Sequence, residues 1–243
     1  MIPQSRRPAF LLTRPEPQGS AFADLLRARL GPDLRLVSSP LLALQILRPE
    51  LPTGDFAAVI FTSQAGVAAA QGLHGLPRRA YCVGNRTAAA AADAGFAAVS
   101  ADGAADDLIA LLLRQGAGGR HLHLRGRDSR GQIAARLNAA GVETAEAVIY
   151  AQTEQALTPE AVALIRGVDP VIAPLFSPRS AGIFARQWYG AGGRAPLFLP
   201  VLSDAIADSL PSDLNARIFV ATHPQAEALA KASGAAFDAG LAP

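Results

Sequence analysis

Short apolar runs alternate with Ala- and Leu-rich segments of helical period along nearly the whole chain. Strands that alternate with helices of this length form βαβ units, so the alternation predicts an α/β fold with parallel sheet. Most of the runs are continuously apolar, as expected when helices cover both faces of a sheet. The predicted strands are Ala9–Thr13, Leu34–Ser38, Ala57–Thr62, Ala80–Val83, Ala97–Ser100, His121–Arg125, Ala147–Tyr150, Val171–Phe176, Pro196–Leu202 and Arg217–Ala221. The predicted helices are Gln18–Leu30, Ala65–Gln71, Thr87–Ala94, Ala104–Arg114, Ser129–Ala140, Pro159–Arg166, Ser180–Trp188, Asp204–Leu210 and Pro224–Ala232.

The charge balance excludes several classes of protein. The 22 Lys+Arg against 20 Asp+Glu leave a net charge of +2, which predicts no non-specific binding of nucleic acid. No stretch approaches ~18 uninterrupted apolar residues, so no membrane span is expected. The apolar run that follows Arg6 and Arg7 is far shorter than a signal peptide requires, so the expected location is the cytoplasm.

Cysteine and histidine are too sparse to indicate a metal site. Cys82 is the only cysteine, which excludes an intrachain disulfide and a cysteine-based zinc site, and it is expected to pack as a small hydrophobe. His121 and His123 fall on one face of a predicted strand, where a hydrogen-bonded or solvated pair is expected. No GxGxxG or GxxxxGK[ST] motif occurs, so no nucleotide cofactor is indicated. Motifs leave flavin binding open, and the colour of the purified protein would decide it.

Two pairs of strand-to-helix junctions echo each other along the chain. Val59–Ser63 and Leu175–Ser180 each run from an apolar strand through a hydroxyl residue into a helix, and Val83–Thr87 and Val201–Asp204 form the second pair. Helix N-capping alone accounts for each hydroxyl residue taken singly. The paired occurrence predicts two similar α/β lobes.

The positions of these junctions indicate an anion site. In open α/β sheets, ligands bind outside the carboxyl ends of the strands, where helix N-termini present free N–H groups. Two lobes whose strand ends face each other would form a cleft lined by hydroxyl and N–H groups, which suits a polyanion and especially carboxylates. The residues alone leave open an enzyme, a two-lobed cytoplasmic binding protein for an anionic small molecule, and a flavodoxin-like or receiver-like module. A receiver would carry acidic residues at its early strand ends, but Thr13 and Arg14 stand there.

An ordered set of motifs narrows these alternatives. The set consists of Leu12–Pro15 (LTRP), Phe61–Ser63 (FTS), Val83–Ala88 (VGNRTA), Leu122–Gly126 (LHLRG), Val148–Tyr150 (VIY) and Phe176–Ser180 (FSPRS). In this order and at this chain length, the set resembles the uroporphyrinogen-III synthase family. One junction departs from the family pattern, because Leu202-Ser203-Asp204 stands where many members have Gly followed by two hydroxyl residues.

The resemblance implies two flavodoxin-like lobes joined by a two-stranded connector, with a cleft between the lobes. Domain 1 would be discontinuous and would comprise residues 1–37 plus 152–243. Domain 2 would comprise residues 38–151. The chain would cross between them near 38–47 and 146–154.

The resemblance also implies the chemistry. The family's substrate is hydroxymethylbilane, a linear tetrapyrrole that carries two carboxylate arms on each ring. The enzyme closes the macrocycle with loss of water and inverts ring D, through a spiro-pyrrolenine intermediate. The implied protein is a monomeric hydro-lyase with a small-molecule substrate and without cofactor or metal. It binds no nucleic acid or membrane, and its implied protein contact is transient, with the preceding enzyme of the pathway.

Residue roles follow from the same resemblance. Tyr150 is the expected catalytic residue, because its phenol could help hydroxide leave ring A; the alternative is a core tyrosine with a satisfied hydroxyl. The alternative for each arginine is a solvated loop residue, and for each hydroxyl residue a helix cap. The expected substrate-binding residues are Arg14, Ser63, Arg86, Thr87, Arg125, Gly126, Ser177, Arg179, Ser180 and Ser203.

Overall fold

The computed structural model describes residues 7–116, 118–128 and 131–241. Arg6, which precedes the first apolar run, and Ser129, the first residue of one predicted helix, lie outside these ranges. The strands are β1 (Ala9–Leu12), β2 (Arg35–Ser38), β3 (Leu42–Ile46), β4 (Ala58–Phe61), β5 (Arg79–Cys82), β6 (Ala97–Ser100), β7 (His121–Gly126), β8 (Thr144–Glu154), β9 (Val171–Ile172), β10 (Leu197–Val201) and β11 (Ala216–Val220). The helices are α1 (Gln18–Leu30), α2 (Gln64–Ala70), α3 (Asn85–Asp93), α4 (Ala105–Arg114), α5 (Ile133–Ala139), α6 (Pro159–Ile165), α7 (Pro178–Gly190), α8 (Asp204–Ala207) and α9 (Ala226–Leu241).

The chain divides into two compact units. Unit 1 contains the residues up to Ala43 and those from Glu154 onward, and unit 2 contains Leu44–Thr153. Among the described residues, one sheet has the strand order β11-β10-β9-β1-β2 and the other has the order β3-β8-β7-β4-β5-β6. The mixed α/β class and the two parallel-dominated sheets confirm the predicted fold. The domain boundaries expected above, 1–37 plus 152–243 and 38–151, stay a prediction.

The sheet of unit 1 is parallel, and its inner strands β1, β9 and β10 are buried on both faces. β1 pairs with β2 on one side and with β9 on the other, so that Phe10 lies between Leu36 and Ile172. Leu11 packs into one core cluster while Phe10 packs into a second, and both side chains are fully buried. Helices that cover both faces explain why the strand is continuously apolar.

The sheet of unit 2 is built in the same way around β4. Phe61 packs on one face and Ile60 on the other, and both side chains are fully buried. β7 pairs in parallel with β4 and β8, and the register of the β7–β8 ladder shifts between Arg125 and Gly126. β3 lies at the edge beside β8, where Leu47 N donates to Ile149 O at 2.8 Å.

Several elements differ in length from the prediction, among them α9, β9 and β8, which continues beyond Tyr150 to Glu154. α9 continues to Leu241, nine residues beyond the predicted end, because Gly234 and Gly240 pack closely against α1 and the two nearby prolines Pro8 and Pro170. β9 ends at Ile172 rather than at residue 176. Pro174 lacks the N–H that a further ladder hydrogen bond requires, and Leu175 makes only an isolated bridge to Val201. None of the described helices is both long and apolar enough to cross a bilayer.

Candidate active site

Ser63 lies two residues beyond β4 and immediately before α2. Its backbone is extended, with φ −156° and ψ 155°, and its Oγ accepts a hydrogen bond from Gly66 N at 3.1 Å. Helix N-capping is the structural role expected above as the alternative for each hydroxyl residue at a strand-to-helix junction. The same Oγ makes a second hydrogen bond, at 2.8 Å, to the Oη of Tyr150.

Tyr150 lies in β8, opposite the last residue of β7. Its backbone carbonyl accepts a hydrogen bond from Arg127 N at 2.9 Å, and its ladder partner is Gly126. The Tyr150 ring lies so close to Gly126 that a Cβ built on the glycine would sit 2.6 Å from ring carbons Cε2 and Cζ. The half-buried phenol is therefore held from two sides, by a hydroxyl at its oxygen and by bare backbone beneath its ring.

An ionic network supports this end of β7 from the neighbouring strand. Arg125 Nε lies 3.1 Å from Glu146 Oε2, and Arg125 Nη1 donates to the carbonyls of Gly126 and Arg127 at 3.1 and 3.3 Å. His123 Nδ1 lies 3.1 Å from the other Glu146 oxygen. Burial lowers the pKa of His123, and the hydrogen bond to Glu146 opposes this only partly. The guanidinium of Arg125 thus spans a carboxylate and the backbone on which Tyr150 rests.

The first turn of α3 carries two further predicted residues in different environments. Thr87 is buried, with 7% of its surface exposed, and its backbone N donates to Gly84 O at 3.0 Å. Arg86 is exposed, and its carbonyl accepts a hydrogen bond from Gln64 on α2. The exposed position of Arg86 is open to an anionic ligand, whereas the buried position of Thr87 favours a packing role.

In unit 1, Ser177 caps α7 as Ser63 caps α2. Its φ and ψ are −156° and 153°, and its Oγ accepts from Ser180 N at 3.1 Å. The two serine hydroxyls lie 2.9 Å apart, and Ser180 Oγ also donates to Ser177 O at 2.9 Å. Pro178 at the first helical position is compatible with this start because the missing N–H would be unpaired there.

The remaining predicted residues of unit 1 surround the ends of its strands. Arg14 follows β1, and its guanidinium carbon lies 4.0 Å from the ring centroid of Phe176, a cation–π contact. Arg179 is exposed in the first turn of α7. Ser203 caps the four-residue helix α8 with extended backbone, and its side chain makes no capping hydrogen bond.

Within unit 2 the structure brings together Ser63, Gly126, Arg125 and Tyr150, and within unit 1 it brings together Ser177 and Ser180. Sequence reasoning missed Glu146, which links His123 to Arg125. The available signal was a charged residue at the start of the predicted crossing 146–154, but the partner of Glu146 depends on the β7–β8 register.

Other reactive side chains are buried away from this chemistry. Cys82 is buried in β5 as predicted, and burial raises the pKa of its thiol to about 11, so the thiol stays protonated at neutral pH. His121 is also buried, and burial lowers its pKa. Among the described residues, no three His, Cys, Asp or Glu side chains are grouped so as to hold a metal ion.

Comparison with known proteins places the chain in a family. The protein-family model described as uroporphyrinogen-III synthase HemD matches residues 31–231 of this chain. The fold is similar to that of uroporphyrinogen-III synthetase from Helicobacter pylori, with a TM-score of 0.63, 17% identity, and coverage of 94% of this chain and 99% of that one. A mutant uroporphyrinogen III synthase from the extremely thermophilic bacterium Thermus thermophilus aligns with a TM-score of 0.49 at 17% identity, over 96% of this chain and 99% of that one. Curated protein sequences give no match. The chain belongs to the uroporphyrinogen-III synthase family.

Proposed function

We propose that this protein cyclises hydroxymethylbilane, with loss of water and inversion of ring D, to give uroporphyrinogen III. The observation that carries the proposal is the family match, which covers most of the chain. Within that frame, the geometry around Tyr150 supports a role for this side chain in the step that releases water. The finer assignments below rest on contacts of the individual residues.

The first chemical step is the departure of the hydroxyl group from the terminal hydroxymethyl carbon of ring A. The C–O bond breaks as the pyrrole nitrogen supplies electrons, and the leaving oxygen needs a proton to depart as water. In this proposal Tyr150 Oη donates the proton, and Ser63 Oγ, 2.8 Å away, can donate in turn to the phenol oxygen. The proton that ring D loses after the final ring closure restores the phenol, so the sum of the steps is the loss of one water molecule.

The carboxylate arms of the substrate require several weak contacts rather than one strong contact. Arg86 and Arg179 are exposed in the first turns of α3 and α7, where the free backbone N–H groups of a helix also attract anions. In unit 1, Ser177 and Ser180 lie at the start of α7, and Arg14 follows β1. We assign these side chains, with Ser203 at its own strand end, to substrate binding.

Positioning is the principal demand of this reaction. Ring closure without inversion occurs spontaneously, so the protein must favour attack by the substituted carbon of ring D, through the spiro-pyrrolenine. Fixed contacts to the arms can supply several kcal/mol of such preference without a nucleophilic triad. In this proposal Tyr150 supplies the proton, and the residues assigned to the carboxylate arms fix the geometry of attack.

The proposed activity is tested by the isomer of the product. Freshly prepared hydroxymethylbilane is incubated with the protein, without added metal or nucleotide, and the product is oxidised and separated into type I and type III porphyrin. We expect predominantly type III, with type I in the protein-free control. A product mixture that equals the control would refute the proposal.

The same experiment separates the enzyme from a two-lobed binding protein. A binding protein would retain hydroxymethylbilane in equilibrium dialysis and yet leave the isomer ratio of the control unchanged. Family membership favours the enzyme.

A further inference from the structure

We propose that Ser63 and Gly126 are positioning residues for the Tyr150 phenol: Gly126 leaves the space that its ring fills, and Ser63 fixes its oxygen. This inference rests on the proposed function, because it assigns both residues to the proton donor rather than to the carboxylate arms. All three residues belong to unit 2: Ser63 follows β4, Gly126 is the last residue of β7, and Tyr150 lies within β8.

The case for Gly126 is steric. A Cβ at this position would sit 2.6 Å from Cε2 and Cζ and 2.9 Å from Oη of Tyr150, and these three side-chain atoms are its nearest neighbours. The φ of Gly126 lies outside the left-handed region, so its backbone conformation admits alanine. The absence of a side chain at Gly126 is thus required by Tyr150 rather than by the main chain.

The case for Ser63 depends on the hydrogen bonds that its hydroxyl can make. A serine hydroxyl has one proton to donate and two lone pairs that accept. Gly66 N–H occupies one lone pair, at 3.1 Å, which leaves the proton free for Tyr150 Oη at 2.8 Å. When Ser63 donates, the phenol proton is directed away from Ser63 and is available to a leaving group. The resulting chain of donors runs from the backbone of α2 through Ser63 to Tyr150.

Unit 1 supplies a matched control for this role. Ser177 has the same cap geometry as Ser63, within 2° in ψ and with the same 3.1 Å bond from the third following N–H. Its hydroxyl contacts Ser180 instead of a tyrosine. Ser63→Ala and Ser177→Ala therefore remove equivalent helix caps, and only the first removes a contact to Tyr150.

The positioning can be measured without catalysis. The chain has three tyrosines, so ¹³Cζ-labelled tyrosine gives three resonances, and Tyr150→Phe identifies the one from Tyr150. We expect Ser63→Ala and Gly126→Ala each to shift the Tyr150 resonance. Ser177→Ala and Gly190→Ala, at an exposed helix end where a Cβ meets nothing within 4 Å, should leave it in place.

Kinetics with hydroxymethylbilane then distinguish positioning from binding. Ser63→Ala should lower kcat by about tenfold and change KM little, since a positioning contact acts on the reactive step. Gly126→Ala should lower kcat by about 10- to 100-fold, toward the kcat of Tyr150→Phe, because the added Cβ displaces the Tyr150 ring. Ser63→Ala should have almost no further effect on kcat in the Tyr150→Phe background, and Gly126→Ala almost none in the Tyr150→Ala background, where no ring remains to be displaced.

Two outcomes would overturn the inference. One is an unmoved Tyr150 resonance in Ser63→Ala and Gly126→Ala. The other is additive losses of kcat in both double variants, which would mean that the residues act independently of Tyr150. A wild-type protein that forms no type III product would refute the proposed function instead, and the resonance experiment would still decide whether the phenol is held as described.

Discussion

Nδ1 of His123 lies 3.1 Å from Oε1 of Glu146, and the two residues are direct partners across the β7–β8 ladder. His123 is almost fully buried, with 1% of its side chain exposed, and its other ring nitrogen, Nε2, has no hydrogen-bond partner among the described residues. Protonation of the ring would place an N–H donor at Nε2, where none of the described residues offers a hydrogen-bond acceptor. The neutral imidazole is therefore the form that suits the folded protein.

We expect the free energy of unfolding to fall as the pH is lowered below about 6.5, the usual pKa of histidine. Because burial lowers the pKa of His123, the folded protein binds fewer protons than the unfolded chain in this range. The stabilising contribution of neutral His123 is complete above the pKa that histidine has in the unfolded chain. Below that pH, one histidine can lower the free energy of unfolding by at most about 1.4 kcal/mol per pH unit.

Urea denaturation of wild type and His123→Gln between pH 7.5 and 5 checks this prediction. The variant should show a shallower dependence on pH, with the residual slope from His121, whose pKa burial also lowers. Equal slopes in the two proteins would assign the pH dependence to other groups.

Tyr150→Phe should lower kcat on the order of 10²-fold, because it removes the proposed proton donor and keeps the ring. The change in the free energy of unfolding should not exceed the worth of one hydrogen bond, about 0.5–1.5 kcal/mol. Tyr189→Phe is the matched control: it removes a phenol that donates to Asp213 at 2.9 Å on the surface of unit 1, and it should leave kcat unchanged. Steady-state kinetics in which Tyr150→Phe keeps more than half of the wild-type kcat would make Tyr150 structural.

Arg125 and Arg86 should respond differently to replacement by methionine. Arg125→Met leaves Glu146 without its guanidinium partner and releases two backbone carbonyls, so we expect a loss of about 1–3 kcal/mol in the free energy of unfolding. Arg86→Met alters an exposed side chain, so its stability should stay within about 0.5 kcal/mol of wild type while KM rises. Thermal unfolding together with KM measurements tests the pair, and the reverse order of stabilities would contradict it.

Ser177→Ala and Thr158→Ala separate helix capping from substrate binding in unit 1. Both hydroxyls cap helices that have proline at the first position, and each replacement should cost about 0.5–2 kcal/mol of stability. Only Ser177 belongs to the proposed binding set, so only Ser177→Ala should also raise KM, by up to about tenfold for one hydrogen bond. Equal KM values in the two variants would reduce Ser177 to a cap.

Local features of the fold could be predicted because they depend on neighbours in sequence. α1 begins and ends at the predicted residues, Gln18 and Leu30, because its apolar period and the Gly31-Pro32 stop are both local. The extension of α9 could not be predicted, because Ser233 and Gly234 are poor helix formers that packing against α1 overrides. The order of the strands within each sheet depends on pairings between distant segments, and no local pattern encodes it.

The sequence predicts which residues belong to the candidate site, but it does not predict which of their side chains contact each other. The sequence predicts Ser63 and Tyr150 as site residues because each follows or ends a predicted strand, yet their hydrogen bond joins residues 87 apart in sequence. Gly126 belongs to a predicted motif, but its contact with the Tyr150 ring depends on the β7–β8 register. The charge of Arg125 predicts a contact with a substrate carboxylate, but in the structure Glu146 and the backbone bind its guanidinium.

The interior position of β1, between β9 and β2, has a consequence for synthesis of the chain. β1 is translated early, but its partner β9 follows only after the whole of unit 2. The continuous segment of unit 2 can complete its sheet on the ribosome, while the four apolar residues of β1 still expose an unpaired edge. Such an edge is prone to associate with other nascent chains, so the yield of folded protein should depend on how quickly the ribosome delivers β9 and on chaperones that shield Ala9–Leu12 until then.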